Sequence, residues 1–74
     1  MNNLKSMSKC PSGTRGQVLL VEGGCSMKHR LADMGVFPGA FIEILQNEGG
    51  PVVLKIGEGR LALGRQMADR VLIA

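Results

Sequence analysis

The apolar residues in the middle of the chain follow the spacing of a helix. Met27, Leu31 and Met34 lie four and then three residues apart, which places their side chains on one helical face. Ser26 precedes them, and its hydroxyl is a candidate N-cap because it can accept a hydrogen bond from a free backbone N–H. The pattern predicts a short helix over residues 27–34.

The residues after this helix predict a stop and a reversal of the chain. Gly35 stands where a helix commonly ends in a left-handed residue, which glycine adopts at little cost. Pro38 and Gly39 suit the central positions of a type II turn, because proline presets φ and glycine supplies a positive φ. We therefore expect a new strand to begin directly after residue 39.

Short aliphatic and β-branched runs separated by glycine-rich turns predict strands in the rest of the chain. These runs lie at residues 18–21, 41–47, 52–56, 60–63 and 70–74. The first predicts a buried strand, and in the second Ile42 and Ile44 share one face because side chains alternate along a strand. Leu61 and Leu63 are both predicted to point inward, and residues 64–69 predict a single helical turn.

About five short strands, one inserted helix and one helical turn before the last strand predict a mainly β fold. Short strands with glycine turns favour a small barrel, because closure of the sheet leaves no exposed edge. Residues 1–12 are largely polar and predict an N-terminal arm or lead-in strand, whereas residues 13–74 predict the barrel domain.

Length and composition restrict the class of protein. The chain has 74 residues, of which 45% are hydrophobic and 20% charged, as expected of one small globular domain. A core of this size is weak, so self-association or a partner could add stability. No run reaches the roughly 18 apolar residues of a membrane span, and the N-terminus lacks the apolar core of a signal peptide. We expect a cytoplasmic protein.

The residues that could bind a metal or carry out catalysis are few. Cys25 and His29 are four residues apart, and Cys10 would add a third ligand if the N-terminal arm folds back. Structural tetrahedral sites use four ligands, so we predict no metal site within one chain. A secreted disulfide framework normally has more than two cysteines in a chain this short, so we predict that both thiols are reduced. One histidine, without a nucleophile motif or paired carboxylates, gives no support for catalysis or a cofactor.

The order of the motifs resembles one protein family along nearly the whole chain, from Lys9 to Ala74. The motifs are Gly13-x-x-Gly16-x-Val18, Arg30-Leu31-x-x-Met34-Gly35-Val36-x-Pro38-Gly39, Gly50-Pro51-Val52 and Leu61-Ala62-Leu63-Gly64. The chain resembles the ferrous iron transport protein A (FeoA) family. The resemblance implies an SH3-like β-barrel with its helix inserted between early strands. It also implies a cytoplasmic accessory to the ferrous iron permease FeoB, which carries a cytosolic G-protein domain.

We predict a non-enzymatic module that binds the G-protein region of that permease and meets the membrane only through it. The predicted partner-binding residues are Arg30, Leu31, Met34 and Phe37, although Leu31 and Met34 also suit core packing. The sequence is also compatible with a homo-oligomer.

Two other functions compete with this prediction. The fold also resembles the C-terminal SH3-like module of iron-dependent repressors, which suggests a metal-sensing regulatory domain, although no winged-helix region precedes it here. The formal charge of +3 admits a nucleic-acid-binding barrel of the ribosomal-protein kind. Nucleic acid is disfavoured because Phe37 and Phe41 are the only aromatic residues available for stacking.

Overall fold

Strands dominate the computed structural model, which describes residues 4–74. In chain order the elements are β1 (Lys5–Ser6), a 3₁₀ turn (Met7–Lys9), β2 (Arg15–Val21), α1 (Cys25–Asp33), β3 (Phe41–Gln46), β4 (Val52–Ile56), β5 (Gly59–Leu63), α2 (Arg65–Asp69) and β6 (Val71–Ile73). The mainly β class, the inserted helix and the helical turn before the last strand are confirmed. The described residues form six strands where the sequence predicts about five.

The strands form one antiparallel sheet in the order β1-β6-β2-β3-β4-β5. Within residues 4–74, β1 and β5 stand at the two ends of this order and do not pair with each other. The sheet is therefore not closed, and the word barrel applies only loosely. The prediction that closure removes the exposed edges was wrong, because β5 has a neighbour on one side only.

The core is aliphatic and receives side chains from almost every element. Ile42 and Ile44 are buried on one face of β3, as predicted, and Leu63 is buried from β5. Leu61 is only half-buried and packs against the edge of this core. The fully buried Leu31 anchors α1 to the core.

Strand β2 departs from the predicted buried strand. Val18 and Val21 are buried, but Leu19 and Leu20, which lie between them, are exposed. The pairing of β2 with β6 shifts between Val18 and Leu20, so two steps along β2 match one step along β6. Such a β-bulge adds one residue to the strand and changes which side chains face the core. The extra residue is Leu19, and Leu20 then faces outward.

Helix α1 begins earlier than predicted. Its N-cap is Gly24, whose backbone is extended, and the carbonyl of Gly24 accepts the first helical hydrogen bond from the N–H of Lys28 at 3.1 Å. Ser26 lies inside the first turn, so its prediction as the N-cap was wrong. The physical reason is that the cap position needs an extended backbone, which Gly24 supplies without a capping side chain.

The end of α1 and the turn after it are as predicted. Gly35 has φ +94°, and the N–H groups of Gly35 and Val36 donate to the carbonyls of Ala32 and Leu31 at 2.9 and 2.8 Å. This pair of hydrogen bonds is a Schellman motif. Gly39 has φ +101°, and its turn is closed by a 3.0 Å hydrogen bond from the Ala40 N–H to the Phe37 carbonyl.

Side chains join the N-terminal segment to the other end of the sheet. The carbonyl of Ser8 accepts hydrogen bonds from Asn47 Nδ2 and Arg65 Nη2, both at 2.9 Å. Arg65 Nη1 also donates to the carbonyl of Gly50 at 2.8 Å. We refer to Ser8, Asn47 and Arg65 as the clasp, because they connect the 3₁₀ turn, the β3–β4 loop and α2.

Candidate partner-binding surface

Three of the four predicted partner-binding residues lie at the surface. Met34 and Phe37 are 39% and 48% exposed, and Arg30 is also exposed. The Schellman motif at Gly35 and the turn at Gly39 hold Phe37 in a short, rigid connection between α1 and β3. Leu31 is fully buried and packs in the core, so we leave it out of the surface proposed below.

Phe37 borders a groove between α1 and β2. The groove has a volume of ≈ 240 Å³ and a largely apolar lining. Its lining residues are Leu20, Val21, Lys28, His29, Ala32, Val36, Phe37 and Pro38. Arg30 and Met34 do not line it, so the structure places only Phe37 of the predicted residues there. We call this groove together with exposed Arg30 and Met34 the α1 surface.

Sequence reasoning missed Leu20 as part of this surface. The side chain is 43% exposed and forms one wall of the groove. The sequence pattern marks it as an interior residue because it stands in an unbroken apolar run. The bulge at Leu19 turns the Leu20 side chain outward, and no residue type in the run predicts that bulge.

The basic side chains of the α1 surface form no ion pair with other residues of the described range 4–74. Lys28 and Arg30 are exposed on α1, with Asp33 as the acidic residue of that helix. The ion pair found among residues 4–74 joins Arg15 to Glu43 at 3.8 Å, away from α1. An apolar groove with basic residues beside it suits a partner that offers an apolar side chain next to a carboxylate.

The candidate metal ligands do not converge. Cys10 is buried, and its thiol donates to the carbonyl of Ser6 at 3.4 Å, whereas Cys25 is exposed at the start of α1. Burial raises the pKa of Cys10, and the nearby Lys5 lowers it by a smaller amount. His29 lines the groove. The described part of the chain contains no group of three or more His, Cys, Asp or Glu side chains placed to hold a metal ion.

Comparison with known proteins assigns the family. The sequence model of the FeoA domain matches residues 5–74. The chain belongs to the FeoA family. A crystal structure of an Iron Uptake Regulatory Protein (FeoA) is 32% identical and superposes with a TM-score of 0.90, covering 95% of each chain. FeoA of Stenotrophomonas maltophilia in complex with zinc, described as a prokaryotic SH3 domain protein, is 24% identical with a TM-score of 0.81, covering 95% of this chain and 89% of that one.

Two further matches concern part of a relative's length or the fold alone. Fe(2+) transport protein A of Methanocaldococcus jannaschii is 28% identical over 53 residues, which cover 72% of this chain and 65% of that relative. The match thus spans just under two thirds of the relative. A manganese-dependent transcriptional repressor is 17% identical with a TM-score of 0.90, and all of this chain matches 42% of the repressor. At this identity the likeness shows a common fold only.

The FeoA domain model thus spans almost all of the described chain. The fold is SH3-like, as the resemblance implied. None of the helices formed by residues 4–74 has the length and apolar character needed to cross a bilayer.

Proposed function

We propose that this protein is a non-enzymatic cytoplasmic accessory of ferrous iron uptake that docks on the cytosolic G-protein region of a FeoB-type permease. The observation that carries the proposal is the α1 surface, where the exposed Phe37 stands beside an apolar groove and basic side chains. The occupant is the G-protein region, and the groove receives an apolar side chain from it. Family membership supports the choice of partner.

Phe37 has the features of an interface anchor. Aromatic side chains dominate binding free energies when they enter a pocket near the centre of an interface, and arginine often accompanies them. The Schellman motif and the turn at Gly39 fix the backbone on both sides of Phe37 before a partner arrives. Little backbone freedom is therefore lost when the complex forms, which favours affinity.

Docking can influence transport through selective affinity. A module that binds one nucleotide state of the G-protein domain more tightly shifts that domain toward this state, by no more than the ratio of the two affinities. The protein needs no chemistry of its own for this role. The residues of the α1 surface contact the partner, and nucleotide hydrolysis belongs to the permease.

The test is a titration of the isolated G-protein region with this protein in the nucleotide-free, diphosphate and triphosphate-analogue states. We expect association that survives metal chelation and that weakens more than about tenfold in Phe37→Ala, as for an interface hot spot. Phe41→Ala is the matched control, because Phe41 is 73% exposed and lies outside the groove. No association in any state, or equal losses for the two variants, would contradict the proposal.

A metal-sensing regulatory domain is the second candidate, favoured by the shared fold with manganese-dependent repressors. It requires stoichiometric binding of Fe(II) or Zn(II) that is lost in Cys25→Ser and His29→Ala. These two side chains supply only two ligands, so such a site would need a second copy of the chain to complete it. Metal binding of this kind, combined with absent docking, would favour the second candidate over the first.

A further inference from the structure

Among residues 4–74, one side of strand β5 has no neighbouring strand. β5 is the last strand in the sheet order, and within these residues it pairs with β4 alone. The two strands are joined by the two-residue turn Gly57-Glu58, in which Gly57 has φ +59°. A two-residue hairpin closes on a hydrogen-bonded pair, here Ile56 and Gly59, and such pairs alternate along the ladder. The N–H and C=O groups of Arg60 and Ala62 therefore point away from β4.

A row of charged side chains runs across the outer face of the sheet and ends at this edge. Arg15 lies opposite Glu43, Glu43 opposite Lys55, and Lys55 opposite Arg60 on successive strands. Residues opposite each other in antiparallel strands share a face and interact. Arg15 and Glu43 form an ion pair at 3.8 Å. The signs of the charges alternate along the row from Arg15 to Lys55, and the last pair, Lys55 and Arg60, has like charges.

The last pair of the row is unfavourable. Lys55 and Arg60 are both exposed and carry like charges in directly opposite positions, which destabilises a sheet. Neither side chain forms an ion pair with any residue of 4–74. A carboxylate placed beyond Arg60, on the same face, would restore the alternation of signs. A seventh strand added to β5 would place such a carboxylate directly opposite Arg60.

We infer that the edge of β5 binds an extended acidic segment of a partner protein as an added strand. In an antiparallel arrangement, the residue that exchanges two hydrogen bonds with Arg60 lies directly opposite it, and its side chain shares the outer face. That residue is acidic. The next residue of the segment covers the half-buried Leu61 on the inner face and is apolar.

A second copy of the chain fits this edge less well. β5 contains no acidic residue, so no register between two β5 strands places a carboxylate opposite Arg60. Pairing about Leu61, for example, places Ala62 there. The like charges at Lys55 and Arg60 would stay uncompensated in both copies. Charge complementarity therefore favours an acidic segment over self-association. Binding at this edge requires neither the α1 surface nor the proposed function.

The probe is an extended peptide in which glutamate alternates with valine, compared with the same peptide carrying lysine in place of glutamate. We expect the glutamate peptide to shift the amide resonances of Arg60 and Ala62 and to slow their hydrogen exchange, with an affinity that falls as salt is added. Arg60→Ala should weaken binding by about two- to fivefold. Arg60→Glu should reverse the preference between the two peptides, and Arg70→Ala, another exposed arginine, should leave it unchanged.

Three results would overturn the inference. The first is equal binding, or no binding, of the two peptides at millimolar concentration. The second is a set of resonance shifts at Ala32 and Phe37 instead of β5, which would assign the peptide to the groove. The third is concentration-dependent protection of Arg60 and Ala62 without peptide, together with a doubled mass in sedimentation, which would assign the edge to a second copy.

Discussion

Gly35 is the residue on which the end of α1 and the placement of Phe37 depend. Its φ of +94° lies in the region that side chains rarely adopt, and a Cβ at this position would stand 3.3 Å from Ile56 Cγ2. The sequence predicts the left-handed conformation correctly, because glycine after an amphipathic stretch is a common helix ending. The contact with β4 depends on the tertiary fold and has no signal in the local sequence.

Gly35→Ala should lower the free energy of unfolding by about 1–2 kcal/mol, since a left-handed backbone is strained for any residue with a Cβ. Urea denaturation measures this loss. Gly50→Ala is the matched control, because Gly50 has no positive φ and a Cβ added there would have no heavy atom within 4 Å. A loss at Gly50 equal to that at Gly35 would show that the backbone conformation is not the cause.

The two cysteines should differ in reactivity. Cys25 is exposed, whereas burial raises the pKa of Cys10 and keeps its thiol protonated to higher pH. An alkylating reagent near pH 8 should therefore modify Cys25 in the native protein and reach Cys10 only after unfolding. Mass spectrometry with and without denaturant measures this. Rapid native labelling of Cys10 in Cys25→Ser would contradict the burial of the thiol.

The same pKa shift predicts a dependence of stability on pH. The folded Cys10 thiol has the higher pKa, so the unfolded chain loses its proton first as the pH rises. The contribution of Cys10 to stability is fully present below the unfolded pKa and is lost as the pH rises through the folded value. In the Cys25→Ser variant, the free energy of unfolding should fall as the pH is raised into the alkaline range. Adding Cys10→Ala to that variant should make this fall smaller.

At the scale of elements, strands with a simple alternating pattern could be predicted and strand β2 could not. Val52–Ile56 has the predicted bounds, and the inward face of β3 is the predicted one. In β2 the run of four apolar residues does not alternate with polar residues, so the sequence predicts a fully buried strand. The pairing with β6 decides the outcome, and this long-range contact carries no local signature.

Substitutions in β2 should reveal the bulge. Val18→Ala removes two methyl groups from the core and should cost about 2 kcal/mol of unfolding free energy. Leu19→Ala removes a larger side chain that is 47% exposed and should cost less than about 1 kcal/mol. Chemical denaturation of the two variants gives the comparison. The reverse order of losses would show that Leu19 is interior, as the sequence pattern suggests.

At the scale of the whole molecule, the two ends of the sheet are held together by side chains instead of a strand ladder. The carbonyl of Ser8 has two donors, Asn47 and Arg65, that come from distant parts of the chain. Asn47 also donates to the carbonyl of Cys10 at 2.6 Å. The sequence predicts the mainly β class but not this clasp. In the sequence, Arg65 at the start of α2 and Asn47 in the β3–β4 loop look like ordinary surface residues, and their partners are backbone atoms.

Arg65→Ala should lower the free energy of unfolding by about 1.5–3 kcal/mol, because the charged donor serves two carbonyls, those of Ser8 and Gly50. Arg65→Lys should recover only part of the loss, since an ammonium cannot reproduce the fork of the guanidinium. Denaturation and amide exchange in the N-terminal segment measure these effects. Arg60→Ala, at an exposed arginine without an ion pair among residues 4–74, is the control and should cause no comparable loss, because it removes only the like charge opposite Lys55.

The bulge in β2 also determines how the protein tolerates a change in chain length. Loss of one residue from the middle of a strand normally turns all later side chains to the opposite face. Here Val18, Leu20 and Val21 already face inward, outward and inward, opposite Ile73, Leu72 and Val71 of β6. A chain with Leu19 deleted would therefore keep the same interior residues and the same groove wall. In this chain, deletion of Leu19 would therefore shorten a central strand without changing which side chains form the core.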